Sequence, residues 1–255
     1  MPDSAKVRTI LNSVGWFIPP FVGIHTSEAL SLEITRSNGT FAQQQLELAL
    51  SRIYSPDRLA AMVLYKYSEV LVVREYREII GESVAAHFLG LGHVAVSGLM
   101  PAVEGIGLGL IRQWNLTHPR GVKNMFGVLL DDAKNHATSE KYGVTQEILD
   151  VIDGLRHFLD AYFFEHSQMY PQSDNTNRHG VAHGVYRDTD FGMPINFYKT
   201  ISAIDILTLV SMLRMPKKSG FVPDYTDESK ALAETYLSLS RAQLSHGQEE
   251  RVAEV

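Results

Sequence analysis

Apolar residues recur at the spacing of an α-helix along most of this 255-residue chain, and this periodicity constrains the fold more than any other feature. The segment 145–166 is an example, with one predicted face made by Ile148, Ile152, Leu155, Leu159 and Phe163. The alternating pattern of a half-buried strand is nearly absent, and the segment 13–23 is too proline-rich for a central strand. The sequence therefore predicts an all-α, multi-helix bundle.

Turn signals divide this helical pattern into segments and suggest three regions. Ser55 is expected to cap a long helix that starts at Pro56 and continues to Ile80, with Gly81 and Gly90 as interruptions. Further helices are predicted at 41–53, 93–113, 145–166, 194–214 and 227–245. We expect an N-terminal helical region at 1–80, a bundle at 81–215, and a linker with an acidic C-terminal helix or tail at 216–255.

One segment, 88–111, is apolar enough to raise the question of a membrane span. It contains His93, Pro101, Glu104 and six glycines, which fit a tightly packed helix of a protein core better. The chain starts without an apolar run after a charged residue, so no secretory signal is predicted. We expect a cytoplasmic protein with no membrane association.

The composition excludes several kinds of site. The chain has no cysteine, which excludes disulfides, thiolate metal sites and cysteine nucleophiles. Its 23 Lys and Arg against 29 Asp and Glu argue by bulk charge against a strongly basic nucleic-acid module. From Asp224 onward seven acids face three bases, so most of the net charge of −6 belongs to the C-terminal end. A local site, not bulk attraction, would have to bind a nucleic acid.

The segment 177–184 (NRHGVAHG) carries the clearest chemistry. Thr176 or Asn177 can cap a short helix there, and Gly184 can end it. The N-terminus of a helix attracts phosphate, and Arg178 would add a second anchor for it. A histidine titrates near neutral pH, so His183 could move a proton during phosphodiester cleavage.

Helix geometry leaves other interpretations open. Residues five apart on a continuous helix point about 140° from each other, so Arg178 and His183 do not automatically converge. They converge if the helix begins after Arg178, if the long side chain curls round, or if a second subunit completes the site. His179 and His183 share a face and could instead bind a metal with Asp188 or Asp190. A capped short helix with a purely structural role is the remaining alternative.

The same residues resemble the motif of the HEPN superfamily. In that family an arginine is followed by a polar residue, here His179, and by a histidine after four to six intervening residues. Arg178 and His183 are separated by four. The segment 83–105 (SVAAHFLGLGHVAVSGLMPAVEG) is similar to the helix that precedes the motif in many bacterial proteins of this kind, and the segment 15–20 (GWFIPP) is similar to their opening.

The resemblance implies a helical bundle that forms a homodimer and acts as a metal-independent endoribonuclease without a cofactor. Arg178 and His183 would be the catalytic pair, supported by Asn177 and His179. Such proteins serve as toxins or in antiviral defence, so an antitoxin or another regulatory partner is implied. Other members only bind nucleotides or partners, which is the second hypothesis. A metal-dependent hydrolase that uses His179 and His183 is the third.

Two further groups of residues belong to this hypothesis. Glu104 lies in an apolar helix and needs a partner, which could be Arg178 or a core cation. A locally basic stretch with an aromatic ring that could stack on a base is predicted to contact RNA, and consists of Arg112, Trp114, Arg120 and Lys123.

Three glycines and two histidines in and near the segment 88–111 are interpreted as structural. Gly105, Gly107 and Gly109 have the wrong spacing for a dinucleotide loop and follow a helix, so we expect them to permit close helix packing. His87 and His93 lie on apolar faces and are predicted to be core histidines.

Overall fold

The protein is described here from a computed structural model, which covers residues 4–37, 41–141, 145–215 and 220–253. All regular secondary structure within these ranges is helical, which confirms the predicted all-α class. The α-helices are α1 (Ser4–Ser13), α2 (Ile24–Arg36), α3 (Gln43–Ile53), α4 (Pro56–Ala61), α5 (Tyr67–Glu69), α6 (Arg77–Phe88), α7 (Gly92–Gln113), α8 (Val122–Ser139), α9 (Thr145–Phe158), α10 (Arg178–Ala182), α11 (Pro194–Met212) and α12 (Asp227–Ala253).

Helices α7 and α11 pack against each other at the centre of the bundle. Helix α11 is buried nearly all round, and its hydroxyl groups therefore need partners inside the core. These hydroxyl groups bond to the backbone of their own helix. Thr200, Ser202 and Thr208 each donate a hydrogen bond of 2.7 Å to the carbonyl oxygen four residues earlier. Among the described residues, α7 is the single helix long and apolar enough to cross a membrane, yet it packs between α6, α8 and α11 as a core helix does.

The three glycines of α7 allow neighbouring side chains to approach the helix backbone. A Cβ atom on Gly107 would lie 2.5 Å from the ring of Phe126 in α8. A Cβ on Gly105 would meet the ring of Tyr76, and one on Gly109 would meet Val72. The prediction that these glycines serve packing is confirmed.

The single long helix predicted from Pro56 to Ile80 is wrong. After α4 the chain forms a π-helical turn at Met62–Lys66, then α5, and leaves the helix at Val70, whose ψ is 128°. Val72 follows with a positive φ of +68°. The carbonyl of Leu71, released by this break, accepts a hydrogen bond of 2.8 Å from the hydroxyl of Ser211 in α11. The interruption is therefore satisfied by a tertiary contact, which the helical periodicity of the segment does not reveal.

The two glycines expected to interrupt this region behave differently. Gly81 lies inside α6, so that prediction is wrong. Gly90 follows α6 with a φ of +75°, a conformation that favours glycine, and is confirmed as a break between helices.

Other boundaries agree with the periodicity more closely. The segment predicted as 145–166 is α9 continued by a π-helical turn at Leu159–Phe163, and the C-terminal helix extends further than predicted, to Ala253. The sequence pattern did not identify α1, α2 or α8 individually, although helices were expected in the N-terminal region.

One continuous hydrophobic core joins the three regions expected from the sequence. Helix α3 packs on α11 and α1 packs on α9, so contacts cross the boundary predicted at residue 80. Helix α12 packs on α4 and α6. The division into 1–80, 81–215 and 216–255 stays a prediction about domains, and the packing crosses both of its boundaries.

The two histidines predicted to lie in the core differ. His87 is partly buried, stacks on Phe197 with ring centroids 4.0 Å apart, and has its Nε2 atom 3.2 Å from the hydroxyl of Tyr198. His93 is exposed, so the prediction is wrong for this residue. Its Nε2 atom contacts the carbonyl oxygen of Asp188 at 3.0 Å, and its ring meets Phe191 edge-on.

Candidate functional site

The site is built on α10, a helix of five residues that Asn177 holds in place. The side chain of Asn177 is fully buried, and its Oδ1 atom accepts a hydrogen bond of 2.8 Å from the backbone N–H of Gly180. Its Nδ2 group donates to the carbonyl oxygens of Tyr162 and Glu165, both at 2.8 Å. Of the two caps proposed from the sequence, Asn177 is therefore the one used, and it also ties α10 to the end of the preceding helical segment.

The C-terminal end of α10 agrees with the sequence. His183 follows the last helical residue, Ala182, with φ −101° and ψ 8°, and Gly184 has the positive φ of +65° expected of a helix-terminating glycine. His183 still donates its backbone N–H to the carbonyl oxygen of His179, so the end of α10 does not by itself bring Arg178 and His183 together.

Arg178 and His183 meet within one chain. The Nη1 atom of Arg178 lies 3.2 Å from the Nε2 atom of His183, and because a guanidinium can only donate, the imidazole nitrogen accepts. The other terminal nitrogen, Nη2, forms an ion pair of 3.0 Å with Oε2 of Glu104 from α7. Arg178 therefore curls round, which was one of the three routes considered. Of the two partners considered for Glu104, the structure shows Arg178.

His179 completes a group of imidazole rings beside this pair. Its ring stacks on that of His183 with centroids 5.6 Å apart and planes inclined by 13°. Partial burial lowers the pKa of His179, and the nearby positive charge of Arg178 lowers it further. Both effects favour the neutral form of His179.

These rings face an open pocket of about 350 Å³. His179 and His183 line it together with His166, and Phe164 and Val185 supply apolar surface. The pocket offers hydrogen-bonding imidazoles next to a guanidinium, a combination suited to an anionic ligand that carries exchangeable protons.

A buried polar network behind α10 positions the chain that leads into it. Lys199 of α11 and Asp174 are both fully buried and form an ion pair of 2.9 Å, and Lys199 also donates to Gln43 of α3 at 3.0 Å. Asn196 donates to the carbonyl oxygen of Asp174 at 2.6 Å and to the hydroxyl of Thr176 at 2.9 Å. The sequence analysis missed these residues, although a lysine inside an otherwise apolar helix is a signal that could have identified the network.

The described residues contain no group of three histidine or acidic side chains placed to hold a metal ion. Asp188 and Asp190 were the candidates for a third metal ligand. The carboxylate of Asp190 instead accepts a hydrogen bond of 2.7 Å from the backbone N–H of Arg187. The backbone carbonyl oxygen of Asp188 contacts the Nε2 atom of His93. No observation in the described parts of the chain therefore favours the metal hypothesis over the others.

The four residues predicted to contact RNA differ in their surroundings. Arg112 and Arg120 are exposed. The guanidinium of Arg214 lies 4.6 Å above the ring centroid of Trp114, so one face of the ring is covered and cannot stack on a base. The ammonium of Lys123 forms an ion pair of 3.1 Å with Glu165, which offsets its charge. The expectation of a basic, base-stacking surface is weakened at Trp114 and Lys123 and stays a prediction at the two arginines.

Comparison with known proteins identifies no relative. No protein-family model, curated protein or solved structure matches the chain. The resemblance to the HEPN superfamily therefore depends on the sequence alone.

Proposed function

We propose that this protein is a metal-independent endoribonuclease of HEPN type, and that the pocket at Arg178 and His183 cleaves the phosphodiester backbone of RNA. One observation carries the proposal: the guanidinium of Arg178 lies 3.2 Å from the Nε2 atom of His183, beside an open pocket. RNA cleavage by its own 2′-hydroxyl needs a proton acceptor and a cation next to the phosphate. These two residues supply both.

The arrangement suggests how the reaction proceeds. A phosphate that enters the pocket takes over the N–H groups of Arg178, which leaves the Nε2 lone pair of His183 for the 2′-hydroxyl proton. The 2′-oxygen then attacks phosphorus, the bond from phosphorus to the 5′-oxygen breaks, and the departing oxygen takes a proton from the His183 imidazolium. Arg178 stabilises the negative charge that develops on the phosphorane oxygens. The products are a 2′,3′-cyclic phosphate and a 5′-hydroxyl.

Neighbouring residues support these roles. Glu104 fixes one side of the guanidinium through its 3.0 Å ion pair, so that Nη1 faces His183. His179, whose pKa is lowered by partial burial and by Arg178, offers a second imidazole to hydrogen-bond the sugar or phosphate. Asn177 holds α10, and thereby both catalytic residues, against the bundle.

The wider roles implied by the resemblance stay part of this proposal. They are a toxin or antiviral-defence function in the cytoplasm, a homodimer, and control by an antitoxin or another partner. Because Arg178 and His183 already meet within one chain, a dimer would bring together two complete pockets and is not needed to complete one.

The test is cleavage of total RNA by purified protein in the presence of EDTA. We expect cleavage with cyclic phosphate ends, and a loss of at least about 100-fold in Arg178→Ala and His183→Ala. Arg77→Ala and His25→Ala are matched controls, since these side chains are 59% and 94% exposed and are far along the chain from the site. Equal cleavage by the site variants and the controls would show a contaminating nuclease and would contradict the proposal.

A non-catalytic binding module is the second candidate. One observation favours it: both terminal nitrogens of Arg178 already bind protein groups, His183 and Glu104, as they would in a purely structural role. In that case labelled RNA or nucleotide binds without being cleaved, and Arg178→Ala weakens the binding. Cleavage that appears only after zinc or manganese is added, and disappears in EDTA, would support the metal-dependent alternative instead.

A further inference from the structure

A second pocket, of about 400 Å³, lies between α2, α3 and the loop that joins α1 to α2. We call it the α2–α3 pocket. The apolar residues that line it include Trp16, Phe21, Leu30, Ala49 and Ile53. The volume falls in the range of small-molecule sites, roughly 300–1,000 Å³. None of its residues belongs to the pocket at Arg178.

Two buried N–H groups in this pocket have no hydrogen-bond acceptor within the described residues. They are the indole Nε1 of Trp16, a residue only 1% exposed, and the Nε of Arg58. Buried donors without partners are rare, because each costs about 1–3 kcal/mol of desolvation. Both residues line the same pocket, so one ligand with an acceptor group could satisfy both donors.

The guanidinium of Arg58 has apolar surroundings. It lies 4.8 Å from the ring centroid of Phe21 and 6.0 Å from that of Tyr225, and no carboxylate among the described residues pairs with it. Cation–π contacts stabilise the charge only partly, since a ring face accepts no strong hydrogen bond. A planar guanidinium whose Nε–H has no acceptor can donate to the oxygens of a carboxylate.

The charge of the pocket indicates how much negative charge its ligand carries. Arg52, Arg58 and Glu33 all line it, and none of the three forms an ion pair with a described residue. Their formal sum is +1, which is complementary to a single negative charge and less suited to a doubly charged phosphate.

We infer that the α2–α3 pocket binds a small amphipathic monoanion, a carboxylate attached to an apolar chain or ring. The carboxylate accepts hydrogen bonds from Arg58 and from the indole of Trp16, and the apolar part lies against Phe21, Leu30 and Ala49. This binding is independent of RNA cleavage, because it uses none of the residues of the Arg178 site.

Octanoate is a suitable probe, with octanol, octylammonium and octyl phosphate as head-group controls. In a Trp114→Phe protein, Trp16 is the only tryptophan, and its fluorescence reports binding directly. We expect saturable binding of octanoate, about tenfold or more weaker binding of octanol, and no binding of octylammonium. Equal affinity for octanoate and octanol, or no fluorescence change with octanoate, would overturn the proposal. Tighter binding of octyl phosphate would overturn the carboxylate assignment.

Substitutions then locate the ligand. Arg58→Gln removes the charge and is expected to weaken octanoate binding about tenfold or more while leaving octanol binding unchanged. Ala49→Phe fills the pocket without removing a donor and is expected to abolish both. Arg36→Gln, at the exposed end of α2 and outside the pocket, is the matched control. Loss of octanoate binding in Arg36→Gln, or unchanged binding in Arg58→Gln and Ala49→Phe, would contradict this location.

Discussion

Asn177 shows how one side chain positions the candidate site. It makes three hydrogen bonds of 2.8 Å in a fully buried position, one to the N–H of Gly180 and two to carbonyl oxygens of the preceding segment. A five-residue helix has too few internal hydrogen bonds to be stable alone. The conformation that brings Arg178 to His183 therefore depends on this residue.

Replacing Asn177 with alanine is expected to lower the free energy of unfolding by about 3 kcal/mol. The change removes the helix cap and the two side-chain hydrogen bonds that tie α10 to the carbonyl oxygens of Tyr162 and Glu165. Urea unfolding measures the loss. The control is Asn124→Ala, because Asn124 is exposed and donates a single side-chain hydrogen bond, of 2.7 Å, to the carbonyl of Arg120. Equal stability of the two variants would mean that Asn177 does not hold the site.

At the scale of elements, α7 contributes both packing and chemistry. Its glycines allow the rings of Tyr76 and Phe126 to approach its backbone, and the same helix supplies Glu104 to the site. Close packing of α7 therefore determines where the carboxylate that orients Arg178 lies.

A pair of glycine-to-alanine substitutions tests this packing. Gly107→Ala is expected to cost about 1–3 kcal/mol of stability, because the new methyl group would overlap the buried ring of Phe126. Gly81→Ala in α6 meets only Val63, at an ordinary 3.5 Å, and is expected to raise stability by up to about 1 kcal/mol through helix propensity. Thermal or urea unfolding distinguishes them. A stabilising Gly107→Ala would contradict the packing interpretation.

At the scale of the whole molecule, buried titratable groups link stability to pH in opposite directions. Burial lowers the pKa of His87 from 6.5 to about 4. Burial also raises the pKa of Asp205 from 3.8 to about 7, although hydrogen bonds from Tyr54 and Tyr67 lower it. The contribution of His87 is therefore present above pH 6.5 and is lost as the pH falls towards 4. That of Asp205 is present below pH 3.8 and is lost as the pH rises through 7.

A His87→Phe variant isolates the first of these effects. Between pH 6.5 and pH 4 the unfolded wild type binds a proton at His87 that the folded protein does not, which should lower the free energy of unfolding by about 3 kcal/mol. We expect the stability difference between wild type and variant to change by this amount over that interval in urea unfolding. The exposed His25→Phe variant should keep the wild-type slope. If the free energy of unfolding of His87→Phe depends on pH as that of the wild type does, His87 does not cause the loss of stability in acid.

The sequence by itself determined the helical class, the close packing of the α7 glycines and the capped ends of α10, because periodicity, glycine spacing and capping residues are local properties. The tertiary structure decided the rest. The helix predicted from Pro56 to Ile80 is interrupted where the hydroxyl of Ser211 bonds to the carbonyl of Leu71. Lys199 is buried in an ion pair with Asp174. The tertiary structure also brought Glu104 to Arg178 and so turned the guanidinium towards His183. These contacts join residues distant along the chain, and no local pattern encodes which of them meet.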